Sequence, residues 1–215
     1  DEQAVRCHFG MNGSLHCNSK QPSAHAGPLS LLIKFADGGE ARLLQATVTL
    51  ADAQAARRAV SEARDRDVCS AAFDEAAALA ALAAVPADWM ACDALLDQAV
   101  LPGVGNIIKN EALHRARVAP DRKVGDLSEA EVNAVVRELR SYARAWLAGR
   151  RPPFQVYDKA SCGDCGGQVI VSKGTATANR VTFHCAACCA HTTAPRPQKR
   201  ARTEPAPAAP VRMRG

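Results

Sequence analysis

The sequence predicts an α+β protein in which a sheet fragment, a helical region and a cysteine-flanked β-hairpin follow one another. Three observations lead there. Two apolar stretches joined by turn residues lie in the first quarter, helical periodicity runs through the middle, and two close cysteine pairs bracket a short β-like segment near the end. The expected organisation is a sheet region over 1–51, a helical region over 52–155, a four-cysteine element over 156–193 and a basic tail over 194–215.

Each element has its own signal. Residues 4–17 are short and β-like, broken by Gly10 and Gly13; 29–36 and 41–50 are apolar and separated by Asp37-Gly38-Gly39, good chemistry for a hairpin turn. Residues 52–66 and 71–85 are Ala-rich and helical up to Pro86, a bland scaffold pattern. Residues 92–100 read as a short helix, 101–105 as a turn, and 106–117 as a second helix that ends before Pro120. Ser128 followed three residues on by Glu131 is a capping box. Val132, Val135, Val136, Leu139, Ala143, Trp146 and Leu147 then recur at helical spacing until Gly149 and Pro152-Pro153. The tail is too rich in Pro, Ala and Arg to fold alone.

Composition narrows the function classes. The 215 residues are 47% hydrophobic, yet no apolar run approaches the roughly 18 residues a membrane-spanning helix needs. Aromatics are only 4%, so the core is thin and a bound metal is a plausible stabiliser. The net charge of +5 is unevenly spread: residues 1–100 carry 8 Lys/Arg against 13 Asp/Glu, and 101–190 carry 13 against 8, so a polyanion is expected on the second half. Nine cysteines, an odd number with four in two close pairs, do not form a disulfide framework and point to a reducing compartment. The chain starts at Asp1 with no targeting segment after it, which predicts that it begins inside a longer protein.

Cys162 and Cys165, then Cys185 and Cys188, give the spacing of a tetrahedral thiolate site, and 169–171 and 181–183 are strands that a turn at 174–178 folds together. Zinc is the expected ion, and four thiolates close its coordination sphere, making it structural. Cys189 adjoins Cys188, so either is a candidate fourth ligand. Cys7, Cys17, Cys69 and Cys92 have no partner spacing and are expected in the core. Arg180 follows the hairpin turn, where a guanidinium on a stiff loop can present a fork to phosphate; a solvated surface charge is the plain alternative. In the turn 101–106, Gly103 and Gly105 remove side-chain bulk, and the helix starting at Asn106 aims backbone N–H groups outward. A phosphate fits there, with Asn106 as a further donor and Lys109 and Arg115 adding charge; the plain alternative is a packing joint.

The segment from Asp97 to Leu113, DQAVLPGVGNIIKNEAL, resembles the helix–two-turns–helix motif of the Fpg/Nei family of base-excision DNA glycosylases. The four-cysteine hairpin with Asn179-Arg180 resembles that family's C-terminal zinc finger, and His8-Phe-Gly-Met-Asn-Gly13 resembles a motif near the end of its N-terminal β-sandwich. Val68-Cys69-Ser70 and Lys109-Asn110 make the chain most similar to the Nei-like 3 branch. The resemblance spans roughly residues 5–188.

It implies the C-terminal part of a β-sandwich at 1–51, a helix–two-turns–helix domain, and a zinc hairpin, with DNA held between them. The family excises oxidised bases and cleaves the abasic site by β-elimination, its N-terminal amine forming a Schiff base with the sugar. The match transfers phosphate contact to Asn106 and Arg180, and filling of the gap beside an extruded base to Met11, whose flexible thioether suits that task. The family's nucleophile, its glutamate on the first helix and a phosphate-binding lysine have no counterpart in this sequence, and neither does the Arg and Phe wedge of bacterial members. These departures predict a chain that binds DNA, including single strands, without cleaving it; a monomer is expected. A non-catalytic, zinc-dependent module for damaged or single-stranded DNA is the rival reading. The cluster Gln198-Lys-Arg-Ala-Arg202 fits nuclear import.

Overall fold

The computed structural model describes residues 2–10, 12–18, 27–173 and 180–189, and it divides into two units, Asp1–Phe73 and Asp74–Gly215. The expected turn at 174–178, Asn179, Met11 and the tail lie outside the described residues.

In the first unit, β1 (Gln3–His8) pairs antiparallel with β5 (Thr47–Asp52), while β2 (Ser14–Cys17), β4 (Glu40–Leu44) and β3 (Leu29–Lys34) form a second sheet in that order. The turn Asp37-Gly38-Gly39 joins β3 to β4 as expected: Gly38 has φ +84, and Asp37 Oδ1 accepts the N–H of Gly39 at 2.9 Å. The stretch 41–50 is two strands, not one. Gln45 turns the chain at φ +49, and the corner's donors are satisfied locally, Gln45 N–H by Pro28 O and Ala46 N–H by Ser30 Oγ, both at 2.9 Å. The chain can therefore leave one sheet and enter the other without orphaned backbone groups.

Ala41, Leu43, Leu44, Ala53 and Val68 are buried, whereas the cross-strand pair Val5 and Leu50 stays exposed. Helix α1 (Ala53–Ala63), capped by Asp52 Oδ1 on the N–H of Ala55 at 2.7 Å, packs on β1 and β5. Between β1 and β2, Gly13 N–H donates to Phe9 O at 2.8 Å, and a Cβ at Gly13 would lie 2.4 Å from that oxygen, so only glycine closes this loop.

The second unit holds α2 (Glu75–Ala83), α3 (Ala91–Leu96), α4 (Asn106–Arg115), α5 (Glu129–Leu147), β6 (Val169–Lys173), β7 (Val181–Cys185) and α6 (Ala186–Cys189). α3 stops at Leu96, short of the expected residue 100, because Asp97 Oδ1 takes the N–H of Ala99 at 2.8 Å and starts a turn. α4 ends at Arg115, since Arg117 adopts φ +62 and Val118 N–H closes back on Leu113 O at 3.0 Å. α5 opens with the expected capping box. It closes in a Schellman turn at Gly149, φ +71, with Arg150 N–H on Ala145 O at 3.0 Å.

Its buried face, Val135, Val136, Leu139, Tyr142 and Ala143, packs the helix against α4 and α2. Among the described residues no helix is long and apolar enough to cross a membrane. Of the four cysteines expected in the core only Cys92 is buried; Cys17 is exposed, and Cys7 and Cys69 are half-buried, because strand and loop positions turned them toward the surface.

Candidate nucleic-acid interface

The turn between α3 and α4 is built around one side chain that periodicity does not flag. Gln98 Nε2 donates to Leu96 O at 3.0 Å and to Val104 O at 2.9 Å, and its Oε1 accepts the N–H of Gly103 at 3.1 Å. Gly103 sits at φ +83, so glycine is required there, but its N–H is already taken. The expectation of outward N–H groups therefore holds only for the start of α4. There Gly105 is the N-cap, no side chain caps the helix, and a Cβ at Gly105 would meet open space.

α4 has no apolar stripe. Lys109, Asn110, Glu111 and His114 are all buried, and each meets another part of the same unit. Three of its residues grip three consecutive residues of β7. Asn106 Nδ2 donates to Val181 O at 3.0 Å, Lys109 Nζ to Thr182 Oγ1 at 2.9 Å, and Phe183 N–H to Asn110 Oδ1 at 2.9 Å. Asn110 Nδ2 in turn donates to Asn106 O at 2.8 Å.

Glu111 accepts the N–H groups of Gln155, Val156 and Tyr157 at 2.9–3.0 Å. His114 Nε2 and Arg117 Nη2 lie 3.2 and 3.3 Å from Asp164 Oδ2, between the first cysteine pair. Burial holds the His114 imidazole below its usual range against the pull of Asp164.

These contacts correct two site expectations. Lys109 is fully buried and cannot line an exposed phosphate-binding face; its ammonium turns inward to Thr182. Burial, opposed by Cys92 and Asp93, brings its pKa down to about 8, with Arg180 adding to the fall. Arg115 lies over the Tyr142 ring at 5.1 Å, a packing contact. Tyr142 opens a row of rings, Trp146, Phe154, Tyr157 and Phe183, with centroids 5.1–6.2 Å apart, that runs from α5 to β7.

β6 and β7 pair antiparallel from Val169↔Cys185 to Lys173↔Val181, so the hairpin forms as expected. The sulfurs of Cys162, Cys165, Cys185 and Cys188 all lie within 4.8 Å of one another. The pairs Cys162–Cys188 and Cys165–Cys185 are 3.8 and 3.5 Å apart. Four sulfurs about 2.3 Å from a central ion would be about 3.8 Å apart, so the cage suits zinc in size and donor type. Cys188, not Cys189, joins the other three; Cys189 is buried, and burial pushes its thiol up to about 11. The backbone N–H of Gly167 lowers the Cys165 thiol, while burial raises Cys162 and Cys188, so a cation is what would draw the protons from the set. Arg180 lies half-buried just past the last strand pair, five residues from Cys185 and so about 17 Å from the cage along an extended strand.

Comparison with known proteins agrees with this architecture. Residues 67–148 match the formamidopyrimidine-DNA glycosylase H2TH domain. Over 86% of its length the chain is 31% identical to Endonuclease 8-like 3 of Xenopus laevis and 32% identical to that of Mus musculus, and it spans about a third of those relatives, 32% and 31%. A viral DNA glycosylase superposes with a TM-score of 0.75 at 22% identity, covering 86% of this chain and 77% of that one. Lactococcus lactis Fpg in complex with DNA containing an abasic site gives 0.67 at 21% identity, covering 87% and 75%.

Proposed function

We propose, from the premise that this chain belongs to the Fpg/Nei family of DNA glycosylases, that its residues form the DNA-holding part of a base-excision enzyme acting on oxidised bases and abasic sites. The carrying observation is the bond from Asn106 Nδ2 to Val181 O at 3.0 Å. It ties the glycine turn to the strand that bears Arg180, so the two phosphate-binding elements move as one body. The start of α4 supplies backbone donors and a positive dipole end, and Arg180 supplies a charged fork. Zinc in the four-cysteine cage holds the far end of the hairpin. Met11 carries over from the family resemblance as the residue that fills the gap beside an extruded base.

The nucleophilic amine, the acidic residue and the phosphate-binding lysine of the family have no match among these 215 residues. On this reading the 215 residues bind single-stranded and lesion-bearing DNA as a monomer without cleaving it, and the basic cluster at 198–202 directs the protein to the nucleus. Fluorescence anisotropy on oligonucleotides carrying a tetrahydrofuran abasic analogue tests the binding. Arg180→Ala should weaken affinity about tenfold and reduce the salt slope by about 1. Equal affinity and slope in the variant would sink the reading. Borohydride trapping on a true abasic site should give no adduct, and a covalent adduct would reverse the second half of the proposal.

A further inference from the structure

The metal cage cannot by itself orient Arg180. The cysteines hold one end of the hairpin, and Arg180 stands at the other, about 17 Å along the strand. Near Arg180 the strand is held from α4, and the central contact is directional. Lys109 Nζ donates to Thr182 Oγ1 at 2.9 Å, and Thr182 Oγ1 donates onward to the carbonyl of Arg180 at 3.4 Å. Because the ammonium only donates, it forces the hydroxyl to point its own hydrogen at Arg180. Both Lys109 and Thr182 are buried, at 0% and 2% exposure, so water does not substitute for the bond between them.

A lysine stripped of water in this way is an expensive residue for a joint between a helix and a strand. Methionine or leucine would fill the space without the desolvation penalty. We infer that Lys109 is a positioning residue: its ammonium, acting through Thr182, sets the strand that carries Arg180 and so tunes how firmly the chain holds a DNA phosphate. This rests on the DNA-binding reading above and adds a regulatory dependence to it.

The groups facing Lys109 define the sign. Asp93 on α3 favours its charge, and Cys92 beside it adds to this only once its buried thiol, raised to about 11, ionises; Arg180, the residue before β7, opposes it. A phosphate on Arg180 offsets that repulsion, so the DNA-bound form holds the Lys109 proton more tightly than the free form. By linkage, affinity is highest where Lys109 is charged and falls as pH rises through about 8.

The test measures binding of a single-stranded abasic-analogue oligonucleotide at constant ionic strength for the unmutated chain, Lys109→Met, Thr182→Val, Arg180→Ala and the two double variants with Arg180→Ala. Cobalt(II) loaded in place of zinc reports the hairpin fold through its thiolate charge-transfer absorption. Thr182→Val, equal in shape, covers the case in which Lys109→Met fails to load. Expected results are a three- to tenfold fall in affinity of the unmutated chain from about pH 7 to about pH 9 and a flat profile in Lys109→Met. Losses from either α4–β7 variant should vanish once Arg180 is already Ala.

An unchanged pH profile in Lys109→Met, or losses that add fully to that of Arg180→Ala, overturns the positioning role while leaving DNA binding intact. If the unmutated chain does not bind the oligonucleotide, or Arg180→Ala binds as well as it does, the DNA-binding reading falls and takes this inference with it.

Discussion

The Glu111 carboxylate accepts the backbone N–H of Val156 at 3.0 Å, with both residues shut away from water. The same carboxylate takes the neighbouring N–H groups of Gln155 and Tyr157, so a single acidic side chain on α4 terminates three otherwise unpaired donors of the connector leading into the first cysteine pair. A loop next to a hydrophobic core can have this shape only because an anion satisfies its backbone.

Glu111→Ala is therefore expected to cost about 3 kcal/mol or more, because it leaves buried donors without a partner. Glu111→Gln should cost roughly half of that, since one acceptor oxygen survives. Urea denaturation of the zinc-loaded chain measures both. Equal, small losses in the two variants would show that water takes over the role of the carboxylate.

Lys109 gives stability a pH dependence of known sign. Its pKa is about 8 in the fold against an ordinary 10.5, so below about 8 both states are protonated and the fold bears the full cost of the buried charge. Between about 8 and 10.5 the folded chain releases the proton first, and stability rises with pH. Lys109→Met should then be more stable than the unmutated chain near neutrality by up to about 3 kcal/mol, an advantage that fades toward pH 10.5. Parallel denaturation curves across this range check it; a gap that stays constant with pH would refute it. A residue that lowers stability and raises affinity is the usual trade at a functional position.

The two adjacent cysteines should behave differently. Cys188→Ser removes a corner of the cage and should weaken zinc binding at least tenfold, whereas Cys189→Ser should keep one zinc per chain and lose stability through a hydroxyl placed in a buried site. Competition with a chromophoric chelator separates the two. Comparable zinc loss in both variants would return the fourth ligand to an open choice.

Much of this was legible in the residues because it is local chemistry. The cysteine spacing, the Ser128 and Glu131 capping box and the Asp37-Gly38-Gly39 turn each work within a few residues, and all three form as read. The corner at Gln45 was not legible. Its donors are satisfied by Pro28 and Ser30, about sixteen residues away, and no periodicity within 41–50 shows that.

The interior of α4 is the sharper case. By itself the segment Asn106–Arg115 determined a helix start after a glycine turn and suggested a DNA-facing role for Asn106, Lys109 and Arg115. Only the tertiary structure decided that Lys109, Asn110, Glu111 and His114 face inward. The surfaces they meet are a strand edge, a hydroxyl and a run of backbone N–H groups, and these call for hydrogen-bonding partners rather than an apolar stripe. Hydrophobic patterning reports burial against oil, and it is silent about burial against backbone.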